Sequence, residues 1–300
     1  MTQGMNRKEF IVKYNEFKYD GTKNIRLLSV KTGAGKEEKE KKEELIKKTE
    51  ENIRKISALQ EKLYADSKEG IIFVLQARDA AGKDSTIKHI MTGVNPQGID
   101  VYSFKTPSKT ELAHDFLWRF YKAIPERGKI AIFNRSHYED VLVVKVHGLE
   151  KTYNIPKRCV KGDYYKKRYR HIVNFEEELY ENGYRFIKIF LNVSKEKQKE
   201  RFMERIETPE KNWKFSTSDL PERELWDDYT KAFEKMINET STETNPWYVI
   251  PADQKWFARF LVSEIFLDTL KSINPKFPAV SEEHKAELER CREALLNEEG

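Results

Sequence analysis

IIFVLQARDAAGKDSTIKHI, residues 71–90, decides the fold. The apolar run from Ile71 to Leu75 reads as a strand buried on both faces. A tight turn follows and ends in Gly82-Lys83, where a helix begins with Ile87, Ile90 and Met91 along one side. Strand, turn and helix start in that order make a phosphate cradle. The turn aims backbone N–H groups at an anion, and the helix adds its positive end. Lys83 supplies a point charge that can follow a phosphoryl group between donor and acceptor.

The pattern G-x-x-x-x-G-K-[ST] is met in part. Ala77 stands at the first glycine and Asp84 at the hydroxyl that holds magnesium, while Ser85 and Thr86 come one and two places late. Read alone, the segment could also be a plain strand–turn–helix with a solvated lysine. Asp79, an extra carboxylate inside the turn, suits a divalent cation near phosphates.

Outward from the cradle, apolar runs recur at 101–104, 130–133, 186–191 and 247–250, with helical patterns between them. Strands alternating with helices imply parallel β-α units in a three-layer sandwich, with ligands beyond the carboxyl ends of the strands. The polar clusters at 77–86 and 134–140, and the segment after 191, all follow strands directly. One crevice could collect them. Leu112, Phe116, Leu117 and Phe120 are expected on one face of a single helix. Lys36 to Tyr64 is expected to be a helix with Ile46, Ile53, Ile56 and Leu63 as its buried stripe.

Residues 1–35 read as a surface arm with a short apolar patch at Phe10 to Val12, 36–280 as the catalytic domain, and 281–300 as a helical tail. A lid is expected over about 195–236. With 38% apolar residues in 300, the chain can bury one sizeable core. A net charge of +5 says little by itself, so local clusters matter more. Cys159 and Cys291 lie far apart without ligand spacing, which argues against a disulfide framework or a zinc site. The chain has no run of about 20 apolar residues and no apolar signal core at its start, so a cytoplasmic protein without membrane partners is expected.

Three segments carry further chemistry. Arg135 follows the second buried strand, and its fork can bind two phosphate oxygens; Asn134 stands where phosphate-loop enzymes usually place a metal-holding acid, with Glu139 and Asp140 close behind. Residues 157–171, KRCVKGDYYKKRYRH, interleave cations with tyrosines and could line a path for a polyanion or bind nucleic acid; a solvated helix face is the plain alternative. Arg201 and Arg205 share one helical face before Thr208-Pro209, as in the lid of a small kinase or in an ordinary helical hairpin.

Taken together, Ala77-Arg-Asp-Ala-Ala-Gly-Lys83, Phe133-Asn-Arg-Ser-His-Tyr-Glu-Asp-Val-Leu142, Lys211-Asn-Trp-Lys-Phe-Ser216 and Trp247-Tyr-Val-Ile-Pro-Ala-Asp253 resemble the family 2 polyphosphate kinases over about residues 36–275. The Asn-Arg-Ser-His-Tyr-Glu-Asp form is similar to the class III subgroup. The resemblance implies an α/β P-loop kinase fold with a helical lid. It implies reversible, magnesium-dependent transfer of the terminal phosphoryl group of inorganic polyphosphate to AMP and ADP, with manganese as a possible substitute.

Asp79, Lys83, Arg135 and Arg201 take the catalytic roles in that reading, with Asp79 as metal ligand and Asn134 and Glu139 as further candidates. Polyphosphate contacts are expected from Ala80, Ala81, Gly82, Lys83, Asp84, Ser85, Arg205 and Lys214. Nucleotide contacts are expected from Asn134, His137, Glu139 and Arg119. Apolar faces on the first helix and on the tail (Leu288, Leu295, Leu296) would suit a homo-oligomer, a dimer or tetramer. Two rivals stand beside this reading. One is an ATP-dependent nucleoside or nucleotide monophosphate kinase on the same fold; the other is a nucleic-acid-binding protein with a degenerate loop.

Overall fold

The computed structural model describes residues 14–298. Six strands form one sheet: β1 (Lys18–Tyr19), β2 (Gly70–Ala77), β3 (Ile99–Ser103), β4 (Ile130–Asn134), β5 (Tyr184–Asn192) and β6 (Trp247–Pro251). Their order across the sheet is β1-β6-β5-β2-β4-β3. All neighbouring pairs are parallel except β1 with β6. The first long strand, β2, therefore lies in the middle. The chain builds outward from it to β4 and β3 on one side, then to β5 and β6 on the other. That reversal opens a crevice beyond the carboxyl end of β2, where parallel sheets hold ligands.

Alternation along the strands feeds two cores. Ile71, Phe73 and Leu75 face a layer made by the helices Lys42–Asp66, Lys83–Ile90 and Lys255–Ile273. Ile72 and Val74 face the helices Tyr164–Glu181 and Trp226–Thr240. The short β1 was not foreseen. It extends the sheet edge beside β6, and Phe17, Ile25 and Leu27 are buried, so this part of the arm is packed into the body. The patch at 10–12 lies outside the described residues.

Two helical expectations are corrected. The stripe of the long helix is Leu45, Thr49, Asn52, Ile56, Gln60 and Leu63, with Ile46 and Ile53 only half-buried. Polar side chains belong to it because they bond inward: Asn52 Nδ2 donates to Ser263 Oγ at 3.0 Å, and Gln60 Oε1 accepts from Asn95 N. This face packs along the Lys255–Ile273 helix, so it is not open to a second copy.

The expected helix over 112–120 is two separate turns, Lys109–Leu112 and Trp118–Tyr121. Asp115 Oδ1 accepts from Leu117 N at 2.9 Å, a local bond that competes with helix continuation. Leu112 is left exposed while Leu117 and Phe120 are buried. The tail helix, Glu282–Leu296, is exposed at every position. No helix among the described residues is long and apolar enough to cross a membrane.

Candidate active site

The turn after β2 is built from strained backbone. Ala80 has φ +59° and Gly82 φ +104°, both left-handed. Glycine adopts this freely, whereas an alanine there costs about 1–2 kcal/mol. Arg201 holds the conformation in place. Its Nη1 donates to the carbonyls of Ala80 (2.9 Å) and Ala81 (2.8 Å), and its Nη2 to those of Ala252 (2.7 Å) and Asp253 (3.0 Å). Gln198 Nε2 donates to Asp79 O at 3.0 Å. With these carbonyls committed, the first N–H groups of the Lys83–Ile90 helix, which have no intrahelical acceptor, are left for an anion.

Arg201 is therefore not a free lid arginine waiting for a transition state. It is a buried clamp that joins the turn to the end of β6. The Lys195–Glu207 helix is fixed with it, since Ser194 N also donates to Asp253 Oδ1.

Four charged groups meet at the mouth of the turn. Lys83 Nζ donates to Ala77 O at 3.3 Å; burial pushes its pKa down, and Asp79 opposes that shift. Arg135, again left-handed at φ +63°, brings Nη2 to 3.4 Å from Asp79 Oδ1. Glu139 is the main cause holding the guanidinium of Arg135 above its ordinary pKa. Burial raises the Glu139 carboxyl, with Arg135 and Lys83 pulling the other way. Ala80 and Arg135 line the same crevice, and both hold the strained left-handed backbone that clusters at functional sites. Asn134 Nδ2 donates to Asp84 Oδ1 at 2.8 Å, tying β4 to the helix that follows the turn.

Two clefts open from this mouth and share Asp79, Thr106 and Arg135. One is basic: Lys83, Lys105, Arg135, Arg205, Lys211 and Lys214 line it, against Asp79, Asp84 and Glu204. Ala80, Gly82, Ser85 and Asn134 complete its floor. The other is aromatic and acidic, with Trp226, Tyr229 and Phe233 beside Glu139, Asp219 and Glu222. Tyr229 donates to Glu222 Oε2 at 2.6 Å. The Arg78 guanidinium lies 4.1 Å from the Trp226 ring and donates to Thr230.

Several expected site residues lie elsewhere. His137 has no solvent exposure, and its Nε2 sits 3.2 Å from Glu176 Oε1 inside the core. It cannot touch a nucleotide in the crevice. The same buried carboxylate receives Tyr138 OH at 2.5 Å and Lys188 Nζ at 2.7 Å, so this network pins the loop that carries Arg135 and Glu139. Arg119 lines neither cleft. It braces the 104–106 loop from behind by donating to Lys105 O at 3.0 Å, over the rings of Phe104 and Phe120. Ala81 is buried and acts through its carbonyl.

The basic run 157–171 also lines neither cleft. Arg168 pairs with Asp140 at 2.9 Å and stacks on Phe116, while Tyr164 and Tyr169 are buried. Besides Lys83, Arg135 and Arg205, the cleft takes cations from Lys105, from Lys255 and, through Lys211 and Lys214, from the Pro209–Lys214 turn. Sequence reading had no role for Lys105, Gln198, Tyr229 or Phe233. The spacing Trp226, Tyr229, Phe233 is a helical aromatic stripe and was the available signal.

A family model described as Polyphosphate kinase 2 matches residues 36–278. The chain is 47% identical over 262 residues to an ADP-polyphosphate phosphotransferase of Rhodopseudomonas palustris, covering 87% of this chain and 90% of that protein. It is 48% identical over 225 residues to an AMP/ADP-polyphosphate phosphotransferase of Meiothermus ruber, covering 75% and 80%. The crystal structure of polyphosphate kinase 2 from Arthrobacter aurescens superposes with a TM-score of 0.75 at 37% identity, over 82% of this chain and 84% of that one. A phosphate cradle at the switch point of a parallel sheet, matched along most of the chain by proteins of one kind, makes this chain a member of the polyphosphate kinase 2 family.

Proposed function

We propose that the protein transfers the terminal phosphoryl group of inorganic polyphosphate to AMP and ADP, reversibly and with magnesium. The observation that carries this reading is the junction of two unlike clefts at Asp79 and Arg135. A polyphosphate chain needs a row of cations and no apolar surface, which the basic cleft supplies. A nucleoside needs aromatic faces and fixed polar groups, which the cleft of Trp226, Tyr229 and Glu222 supplies. Donor and acceptor phosphates would meet end to end between them.

In-line transfer needs positioning and charge neutralisation more than a covalent intermediate. The N–H groups of the turn and Lys83 would hold the transferred group, and Arg135 would follow the charge that builds on it. The Glu139 carboxylate would favour the charge on Arg135 from the nucleotide side, where it lines the aromatic cleft. Asp79 and Asp84, with the Asn134 amide, are the cleft residues that would hold a hard cation beside the phosphates. Among the described residues no set of three acids or histidines could cage a metal, and a phosphate-bound magnesium does not need one. Such an ion would supply further neutralisation of the phosphates.

Closure to exclude water falls to residues 208–225 in this reading. The helices on either side are anchored, through Arg201 before and through buried Phe233, Met236 and Ile237 after. Lys211 and Lys214 would descend with that segment onto the chain. The test is to incubate the purified protein with polyphosphate, magnesium and AMP, then with ADP, and to follow ADP and ATP by chromatography. Phosphorylation of AMP by ATP but not by polyphosphate would replace this reading with that of a monophosphate kinase.

A further inference from the structure

Residues 18–34, which precede the matched family region, reach the active-site turn indirectly. After β1 pairs with β6, Asn238 on the Trp226–Thr240 helix grips Ile25 from both sides. Its Oδ1 accepts from Ile25 N at 2.8 Å, and its Nδ2 donates to Ile25 O at 3.1 Å. Glu234 on the same helix accepts from Leu27 N at 2.8 Å. Asn192, the last residue of β5, then donates to Val30 O at 3.4 Å. Side chains of the body thus lead the arm across the carboxyl ends of β5 and β6.

It is fastened there by residues just past β6. Asp253 N donates to Thr32 O at 2.8 Å, Thr32 Oγ1 donates to Asp253 Oδ2 at 2.7 Å, and Ala34 N donates to Gln254 Oε1 at 2.7 Å. Gly33 has no room for a side chain, since a Cβ would stand 2.7 Å from Gln254 Oε1.

Asp253 is the junction between this arm and the clamp. Its Oδ1 accepts from Ser194 N, at the cap of the Lys195–Glu207 helix, and its backbone O accepts from Arg201 Nη2 at 3.0 Å. The terminal torsion of an aspartate is soft, so one donor alone leaves the carboxylate free to turn. Thr32 on one oxygen and Ser194 N on the other fix its plane. Arg201 carries that placement to the carbonyls of Ala80 and Ala81, where the backbone is strained and has to be held.

We propose that Thr32 is a positioning residue for phosphoryl transfer, acting through Asp253 and Arg201 on the turn that cradles the moving phosphate. This inference rests on the functional reading above. Thr32 itself lines neither cleft. Its effect is on the aim of the turn's N–H groups, and a misplacement of 1 Å around a reacting centre can cost about 10²-fold in rate.

The experiment compares the unmodified protein with Thr32→Val, which keeps the shape and deletes the donor, and Thr32→Ser, which keeps the donor. Steady-state kinetics with polyphosphate, ADP and magnesium are run well below the Tm of each protein. Hydrogen-exchange mass spectrometry without substrate follows the segment 77–86. Thr32→Val should lower kcat roughly tenfold, a fraction of the cost of a full 1 Å error, and leave both KM values unchanged. It should also speed exchange in 77–86 while 70–76 holds. Thr32→Ser should restore both. An unchanged kcat in Thr32→Val overturns the proposal, as does a loss confined to Tm or an equal loss of kcat in Thr32→Ser. If the unmodified protein transfers nothing from polyphosphate, the functional reading falls and the exchange comparison alone decides the role of Thr32. Faster exchange in Thr32→Val then supports it, and equal exchange overturns it.

Discussion

Arg201 Nη1 donates to Ala81 O at 2.8 Å across 120 residues of sequence, and so makes the phosphate turn depend on a helix that follows β5. The same guanidinium takes three further carbonyls. Arg201→Ala should therefore lower stability by about 2–4 kcal/mol as well as turnover, since it leaves buried carbonyls without donors. Arg201→Lys should recover little, because one ammonium cannot span two pairs of carbonyls. Chemical denaturation of both variants checks this. Activity loss at unchanged stability would return Arg201 to a purely catalytic role.

Arg135 and Lys83 should behave in the opposite way. Both sit at the mouth of the crevice, and Arg135 is 44% exposed at its side chain. Arg135→Ala and Lys83→Ala should each cut kcat by on the order of 10³-fold with little change in Tm. Steady-state kinetics beside thermal melts decide it, and near-normal kcat in either variant would refute the assignment.

Asn134→Asp places a second carboxylate where an amide now donates to Asp84 at 2.8 Å. The two acids should repel and destabilise the protein by about 1 kcal/mol without divalent cation. Magnesium should restore the loss, giving the variant a larger magnesium-dependent rise in Tm than the unmodified protein. Equal magnesium responses would place the ion away from this pair.

Tyr229→Ala should raise the KM for AMP about tenfold, from lost stacking area, and leave the KM for polyphosphate alone. A rise in the polyphosphate KM instead would reverse the assignment of the two clefts.

Acid should weaken the fold through the core beneath the site. Burial keeps the His137 pKa below its ordinary value of 6.5, so the unfolded chain binds a proton there that the folded one refuses. Stability from this group is full above pH 6.5 and declines as pH falls below it, by at most about 1.4 kcal/mol per pH unit. Glu176 adds a loss of the same sign below about pH 4.5, because Lys188 holds its carboxyl down against the desolvation that would raise it. His137→Gln should flatten the Tm profile between pH 6.5 and 5, and an unchanged slope there would remove histidine from the account.

Much of the fold was legible because local order carries it. The apolar run 71–75, the turn closing on Gly82 and four later strands are each encoded within a few residues, and parallel β-α units leave few ways to connect them. Asp79, Lys83 and Arg135 were legible for the same reason, since each follows a strand end and so lands at the crevice. The roles of Arg201, His137 and Arg119 were not. Each depends on which element packs against its side chain, and periodicity does not report that.

The chain's linear order alone thus determined the parallel strands, the cradle and the family, while the antiparallel β1 at the sheet edge came from packing. Tertiary packing alone decided which cations are free. Arg201 and Arg168 are spent on carbonyls and on Asp140, while Lys105, Lys214 and Lys255 face open cleft. A charge in the sequence can reach the phosphates only where folding leaves its side chain at the cleft.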